Sequence, residues 1–513
     1  MSEPWLPPHA PPRLFTRRDF LRVGAMGGAL AAFLPEHVLA DPYAPWRVPL
    51  GPGHPVRVRG RVHVGGRGLG GVAVTDGLRI VQTGADGAFE LATNSRRQFV
   101  YMTLPRGHRI PVSETGTARF YQVLPDDGRE EFDAEFALEA LPEGDEHHVA
   151  LVLADIQTQD AGEMARFHAE TVPDLEDTIR GLGGAHAFSI ACGDIMFDDL
   201  SLFPDFERAV ARVGIPSFQV VGNHDLDFDG ATEESSTRTF RRRYGPRYYS
   251  FDRGAVHYVV LDDVFWHSAG YVGYLDADQL TWLEADLARV EPGTPVVISL
   301  HIPVEGTRAL REGQARPTLG GSVANRDFLY RLVEPFRTHF LAGHTHDGEH
   351  VFRQGTHGHV LGTVCGAWWA GNLAGDGTPN GYGVYEARGE EIRWRYKSTG
   401  QDASHQMRGY ARGAVPEAAG EVAVNAWDWD PSWEVTLWQN GMRRGPMSSR
   451  VAIDPLVAES FVPDRLPPRR QWVRAYPTEH MLFAPVEPDA TGLTVEARDR
   501  FGRVHSARIP DPA

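Results

Sequence analysis

The sequence predicts an α/β protein: a layered core of strands and helices, flanked by an N-terminal β-sandwich and a C-terminal β-domain. Three features carry this reading. Apolar runs from Val149 to Leu153, Phe188 to Ala191, Phe218 to Val221 and Val296 to Leu300 each lead into a short polar motif, as buried strands do where they feed loops at one sheet edge. Helical patterns alternate with these runs from His147 to about Gly400, as in Leu280-Thr281-Trp282-Leu283-Glu284-Ala285-Asp286-Leu287, whose apolar face recurs at i, i+3 and i+7. Before residue 141 and after residue 414 the alternation stops and strand patterns take over.

Taken in order, residues 1–40 form a targeting segment. Thr16-Arg17-Arg18-Asp19-Phe20-Leu21-Arg22 resembles the twin-arginine export signature, a Gly- and Ala-rich apolar stretch follows to Leu34, and Val38-Leu39-Ala40 fits a small-residue cleavage site. The stretch is too short to span a bilayer comfortably. The mature chain is therefore expected to begin at Asp41, to engage the export machinery, to lack a transmembrane segment, and to act in the periplasm or outside the cell. Residues 41–55 are Pro-rich and read as a linker.

From residue 56 to 141 there is no helical period. Val56-Arg57-Val58-Arg59-Gly60-Arg61-Val62 alternates as a strand, and Gly65-Gly66, Asp76-Gly77 and Asp86-Gly87 supply turns, which suits a small β-sandwich. Gly70-Gly71-Val72-Ala73-Val74 through Thr83, Asp86-Gly87 and Phe89 resembles the carboxypeptidase-regulatory, transthyretin-like domain. In residues 414–513, Trp427, Trp429, Trp433 and Trp438 alternate with polar residues, and Leu493-Thr494-Val495-Glu496-Ala497 reads as a further strand.

The chemistry lies in the motifs of residues 147–400. They are Asp155-Ile156-Gln157, Gly193-Asp194 with Asp198 close behind, Gly222-Asn223-His224-Asp225, His301, and Gly343-His344-Thr345-His346. Carboxylates, an amide and imidazoles presented together suit a pair of divalent metals. The order of these motifs resembles the calcineurin-like metallophosphoesterase superfamily over about residues 147–400, and the full domain run resembles one exported bacterial branch of it.

That resemblance implies a four-layer α/β/β/α core and hydrolysis of phosphoesters by a hydroxide bridging two divalent metals, with Mn, Fe, Zn and Mg all open as the ions. It implies that Asp155 and His346 hold the first metal, that Asp194 bridges, and that Asn223, His301 and His344 hold the second. Gln157 departs from the family, which usually has His there. Its amide oxygen is a harder, weaker ligand than imidazole, so a weaker first site is expected, unless Gln157 acts as a hydrogen bonder behind the ligands. Phe197, three residues after the bridging Asp194, cannot ligate in its place. His224 is the candidate acid for the leaving group, and Asp198 is favoured over Asp199 and Asp225 as its orienting carboxylate. A helix N-cap is the other reading of Asp225.

Trp368, Trp369 and Asn372 lie in a turn-rich segment soon after the last ligands and are the candidate substrate contacts. Arg238, Arg241, Arg242, Arg243 and Arg247 form a basic cluster that reads either as a solvated helix face or as a grip for a second acidic group. Cys192 and Cys365 are the only cysteines, and their pairing is open.

The net charge of −17 argues against nucleic acid as the main partner. A small phosphorylated substrate, with envelope material as one source, remains compatible, because bound cations invert the local field. Phosphodiesters are slightly favoured over monoesters, because few cationic side chains lie near the motifs. The rival expectation is a degenerate relative in which Gln157 has cost the first metal, leaving a phospholigand- or glycan-binding scaffold.

Overall fold

Two β-sheets packed face to face form the centre of the molecule. The computed structural model describes residues 53–511, so the targeting segment and most of the expected linker lie outside the described residues. The first sheet runs in the order Ser217–Val220, His186–Cys192, His147–Leu153, Gly381–Arg388, Glu391–Ser398. The second runs Tyr249–Arg253, Val256–Val260, Pro295–Ser299, Arg337–Ala342, Thr356–Val360, Glu349–Arg353. The central strands of both are parallel and buried along their length, which explains their near-continuous apolar runs.

Helices cover the outer faces. Val172–Arg180 and Phe203–Val213 place Leu175, Phe206 and Val210 against Leu151, Leu153 and Ala191 of the first sheet. On the second sheet, Trp282 and Leu283 of Ala277–Leu287 meet Val296 and Ile298. Asp276 caps that helix by accepting from Gln279 N at 2.8 Å. The core is thus a four-layer α/β/β/α stack.

The first described strand, Pro55–Val64, opens one residue before the sequence-based expectation. It pairs antiparallel with Ala88–Asn94 and parallel with Glu131–Leu138, and a second four-stranded sheet closes this N-terminal sandwich. The sandwich covers the outermost strand of each central sheet. Ala118 N donates to Ser217 O at 2.9 Å and Asp252 N donates to Leu104 O at 2.8 Å, so neither edge is left open. At the other end of the chain, Glu421–Ala426 and Glu434–Gln439 belong to two further four-stranded sheets of the C-terminal β-region. Among the described residues, no helix is long and apolar enough to cross a membrane.

Candidate active site

Each polar motif sits where a central strand ends, and the turn that follows is tight enough to force unusual backbone. Asp155, Gln157, Asp194, His344 and His346 all adopt left-handed φ values, 47°, 46°, 47°, 70° and 55°. Non-glycine residues in this region cost about 1–3 kcal/mol each and persist only where the surroundings over-determine them. The glycines before these candidate ligands make room. A Cβ on Gly193 would lie 2.5 Å from His301 Nδ1, one on Gly222 1.9 Å from Asp194 N, and one on Gly343 2.2 Å from Asp155 Oδ2.

These turns converge on one polar cluster between the sheet edges. His301 Nε2 stands 3.1 Å from Asn223 Oδ1 and 3.3 Å from Asp194 Oδ1, and His344 Nδ1 stands 3.2 Å from His301 Nε2. Ligand atoms of Asp194, His301 and His344 lie within 4.8 Å of one another. On the other side of Asp194, His346 Nε2 is 3.3 Å from Asp155 Oδ1.

Backbone carbonyls set the imidazole tautomers. His301 Nδ1 donates to Cys192 O at 2.9 Å, His346 Nδ1 to Gly366 O at 2.6 Å, and His344 Nε2 to Gly320 O at 2.8 Å. The opposite nitrogen of each ring is therefore the one that faces the cluster, the orientation that metal-binding histidines use. Burial pushes the Asp194 carboxyl up, but the neighbouring His301, His224 and His344 hold it far below the usual carboxylate range. Burial and the adjacent His301 push His344 down to about 3. Burial pushes His301 and His346 down, but Asp194 raises His301 to about 10, and Cys365 and Asp155 raise His346 well above the ordinary imidazole value. Carboxylates and imidazoles thus share protons in a buried cluster, and such a donor set fits divalent cations, which bind by displacing those protons.

Gln157 lies in the same cluster, fully buried, with Nε2 donating to Asp194 Oδ2 at 3.1 Å and Oε1 3.7 Å from Cys365 Sγ. Cys192 and Cys365 are separate buried thiols.

His224 stands beside the cluster. Its backbone N donates to Asp194 Oδ1 at 2.8 Å, its Nδ1 meets Asp198 Oδ1 at 2.6 Å, and its ring packs edge-on to Phe197 at 4.4 Å. Burial lowers its basicity, yet the Asp194 charge and the Asp198 bond hold it above the ordinary imidazole value. Asp199 does a different job, accepting from Ser201 N at 3.1 Å. Asp225 caps no helix. It accepts from Ile195 N at 3.1 Å, Met196 N at 2.9 Å and Gly222 N at 3.0 Å, tying the two ligand loops together.

The expected substrate contacts separate. Trp368 stacks on the His346 ring at 4.0 Å with a 16° interplanar angle. Trp369 turns into the core, where its Nε1 donates to Ile156 O at 3.0 Å, so its faces are occupied by packing and not open to a ligand. Asn372 is tied by its Oδ1 to Arg166 Nη2 at 2.9 Å. The basic cluster is neither a solvated face nor an anion grip. Arg241 is buried, Arg247 is mostly buried and held by Glu233, Asp262 and Asp276, and Arg243 pairs with Glu207.

Residues from the C-terminal region reach the site and escaped sequence reasoning. Arg470 is buried, donates from Nε to Trp368 O at 2.8 Å and from Nη2 to Glu163 Oε1 at 2.9 Å, and lies 5.1 Å over the Phe197 ring. Trp472 packs edge-on to Trp368 at 4.4 Å.

Residues 148–348 match the family described as calcineurin-like phosphoesterase, residues 56–141 match its N-terminal region and residues 358–505 its C-terminal region. The chain belongs to the calcineurin-like phosphoesterase superfamily. It is also 30% identical over 139 residues to purple acid phosphatase 22 of Arabidopsis thaliana, a stretch covering 24% of this chain and 30% of that protein. Among solved structures, a dimetal phosphatase from Danio rerio aligns at 15% identity and TM-score 0.36, covering 49% of this chain and 96% of that one. A purple acid phosphatase from yellow lupin (Lupinus luteus) seeds aligns at 14% identity and TM-score 0.34, covering 49% and 51%. Within the calcineurin-like phosphoesterase core, the strand-end motifs bring the candidate metal-ligating groups together, and β-rich regions flank the core on either side.

Proposed function

We propose that this calcineurin-like phosphoesterase is an exported hydrolase that cleaves small phosphoesters, phosphodiesters in preference to monoesters. The observation that carries the reading is the convergence of buried carboxylate, amide and imidazole donors around Asp194, with the Asp198-bound His224 at its rim. Asp155, Gln157, Asp194, Asn223, His301, His344 and His346 would hold two divalent cations. When bound, those cations supply an activated water and neutralise the charge on the phosphoryl oxygens.

The protein groups do the rest. His224, held through Nδ1 by Asp198, is the group that gives a proton from its other ring nitrogen to the leaving-group oxygen. Trp368 offers an apolar wall next to His346 for the organic part of the ester. The diester preference rests on charge. The guanidiniums that approach from the C-terminal region, Arg469 and Arg470, are committed to Asp160 and Glu163 and do not meet a dianion. Export rests on the twin-arginine signature of Thr16 to Arg22.

The test is to purify the mature chain from Asp41 onward, count bound metals by mass spectrometry, and assay bis-p-nitrophenyl phosphate against p-nitrophenyl phosphate. Metal-dependent turnover with faster cleavage of the diester is expected. Metal-loaded protein with no turnover on either ester would overturn the hydrolase reading, and faster cleavage of the monoester would overturn the diester preference.

A further inference from the structure

A second group of imidazoles lies away from the active site, at the other end of the strand that leads to His344. His339 is on Arg337–Ala342, His357 and His359 are on Thr356–Val360, and His350 is on Glu349–Arg353. The register places His339 opposite His357 and His350 opposite His359. Period-two alternation then puts all four rings on one face of the sheet. Phe340 and Ala342 point into the helix-covered core, so this face looks the other way, towards Trp394 of the first sheet.

One ring nitrogen from each of His339, His357 and His359 lies within 4.8 Å of the others. His339 Nδ1 is 3.0 Å from His359 Nε2, and His350 Nδ1 is 3.0 Å from His357 Nε2. A tetrahedral cation with bonds of about 2.0–2.1 Å holds its nitrogens roughly 3.3 Å apart; the His339–His359 pair is already near that spacing, and His357 closes in from within 4.8 Å. His359 is 2% exposed, and its Nδ1 has no hydrogen-bond partner. An unsatisfied polar atom at that depth costs about 1–3 kcal/mol. Burial pushes His339, His357 and His359 down, so the rings are neutral and present lone pairs. The nearby Arg500 guanidinium adds to that downward push on all three rings, and its charge is partly offset by Asp430 at 2.7 and 3.0 Å. His350 Nε2 meets Asp428 Oδ1 of the C-terminal region at 3.1 Å, the carboxylate–imidazole arrangement that orients metal-bound histidines.

We propose that His339, His357 and His359 form a structural zinc(II) site, separate from the phosphoesterase centre, which locks the outer strands of the second sheet against the C-terminal β-region through His350 and Asp428. The three imidazoles fill three positions of a tetrahedral cation and leave the fourth to a water; the site joins two strands to the C-terminal region and contains none of the phosphoesterase motifs, so its role is cohesion.

The experiment uses the full mature chain with Asp194→Asn and His344→Asn, which disable the phosphoesterase centre. Equilibrated with zinc and desalted, this chain should retain one zinc that is lost when His357→Gln is added, while circular dichroism stays native. Wild-type crystals grown with zinc should give an anomalous diffraction peak among the three rings, a result that does not depend on any variant folding. No anomalous peak there, or an unchanged zinc count in a natively folded His357→Gln chain, would overturn the proposal. Neither result depends on whether the protein hydrolyses phosphoesters.

Discussion

At the glycines preceding Asp194, Asn223 and His344, the missing Cβ lets the ligands meet. Gly222→Ala would drive a methyl into Asp194, and overpacking of this kind costs about 1–3 kcal/mol and displaces the neighbouring ligand. The expected outcome is loss of bound metal together with turnover, read by mass spectrometry and assay on the same sample. His224→Ala should behave differently, keeping the metals while turnover falls by about 10²–10⁴-fold, the usual contribution of a general acid. Retained turnover would remove His224 from the chemistry. At Gln157, exchange of the amide for imidazole restores a softer donor beside Asp194. Gln157→His should tighten the weaker metal, measured as a lower chelator sensitivity, and unchanged affinity would leave Gln157 as a hydrogen bonder to Asp194 only.

At the scale of elements, the strands deliver the ligands and the helices hold the strands. One joint of that kind is titratable. His257, on Val256–Val260, bonds Asp252 Oδ1 at 2.7 Å and Asp286 Oδ2 of the helix Ala277–Leu287 at 3.0 Å. Burial pushes the imidazole down, but Asp286 and Asp252 overcome it and raise the ring to about 10. The folded value lies above the unfolded one of about 6.5, so the stabilisation is full below that pH and is lost as pH rises through the folded value. Thermal unfolding between neutral pH and pH about 10 should therefore show falling stability. His257→Gln should be less stable near neutrality by about 3–5 kcal/mol, since it leaves a buried carboxylate poorly paired, and flatter across that window. A parallel decline in both proteins would show that His257 is not the titrating joint.

At the scale of the whole molecule, the two β-rich regions close opposite sides of the core. The N-terminal sandwich pairs with the edge strands through Leu104 and Thr117, whereas the C-terminal region reaches the rim of the active site with Arg470. Arg470→Ala leaves the buried Glu163 with Arg469 alone and should cost roughly 3 kcal/mol, the lower end for breaking a buried pair. Because Arg470 also holds the Trp368 carbonyl, KM for an aryl diester should rise more than kcat falls. An unchanged KM in a stably folded variant would show that the C-terminal region braces the core without shaping the substrate wall.

The layered α/β core and the strand-end motifs can be read from the chain alone, because a strand buried on both faces writes a continuous apolar run and the turn after it must carry small and polar residues. Asp198 as the partner of His224 was legible for the same reason: both lie in loops leaving adjacent strands. Long-range packing settles that Trp369 lies in the core while Trp368 faces His346, that Arg247 is ringed by carboxylates, and that Arg470 touches the site from more than a hundred residues away in the chain. A local pattern reports a residue's own strand or turn. Which distant segment comes to lie against it depends on how the sheets and flanking regions close, and that information is spread over contacts that no short stretch of sequence contains.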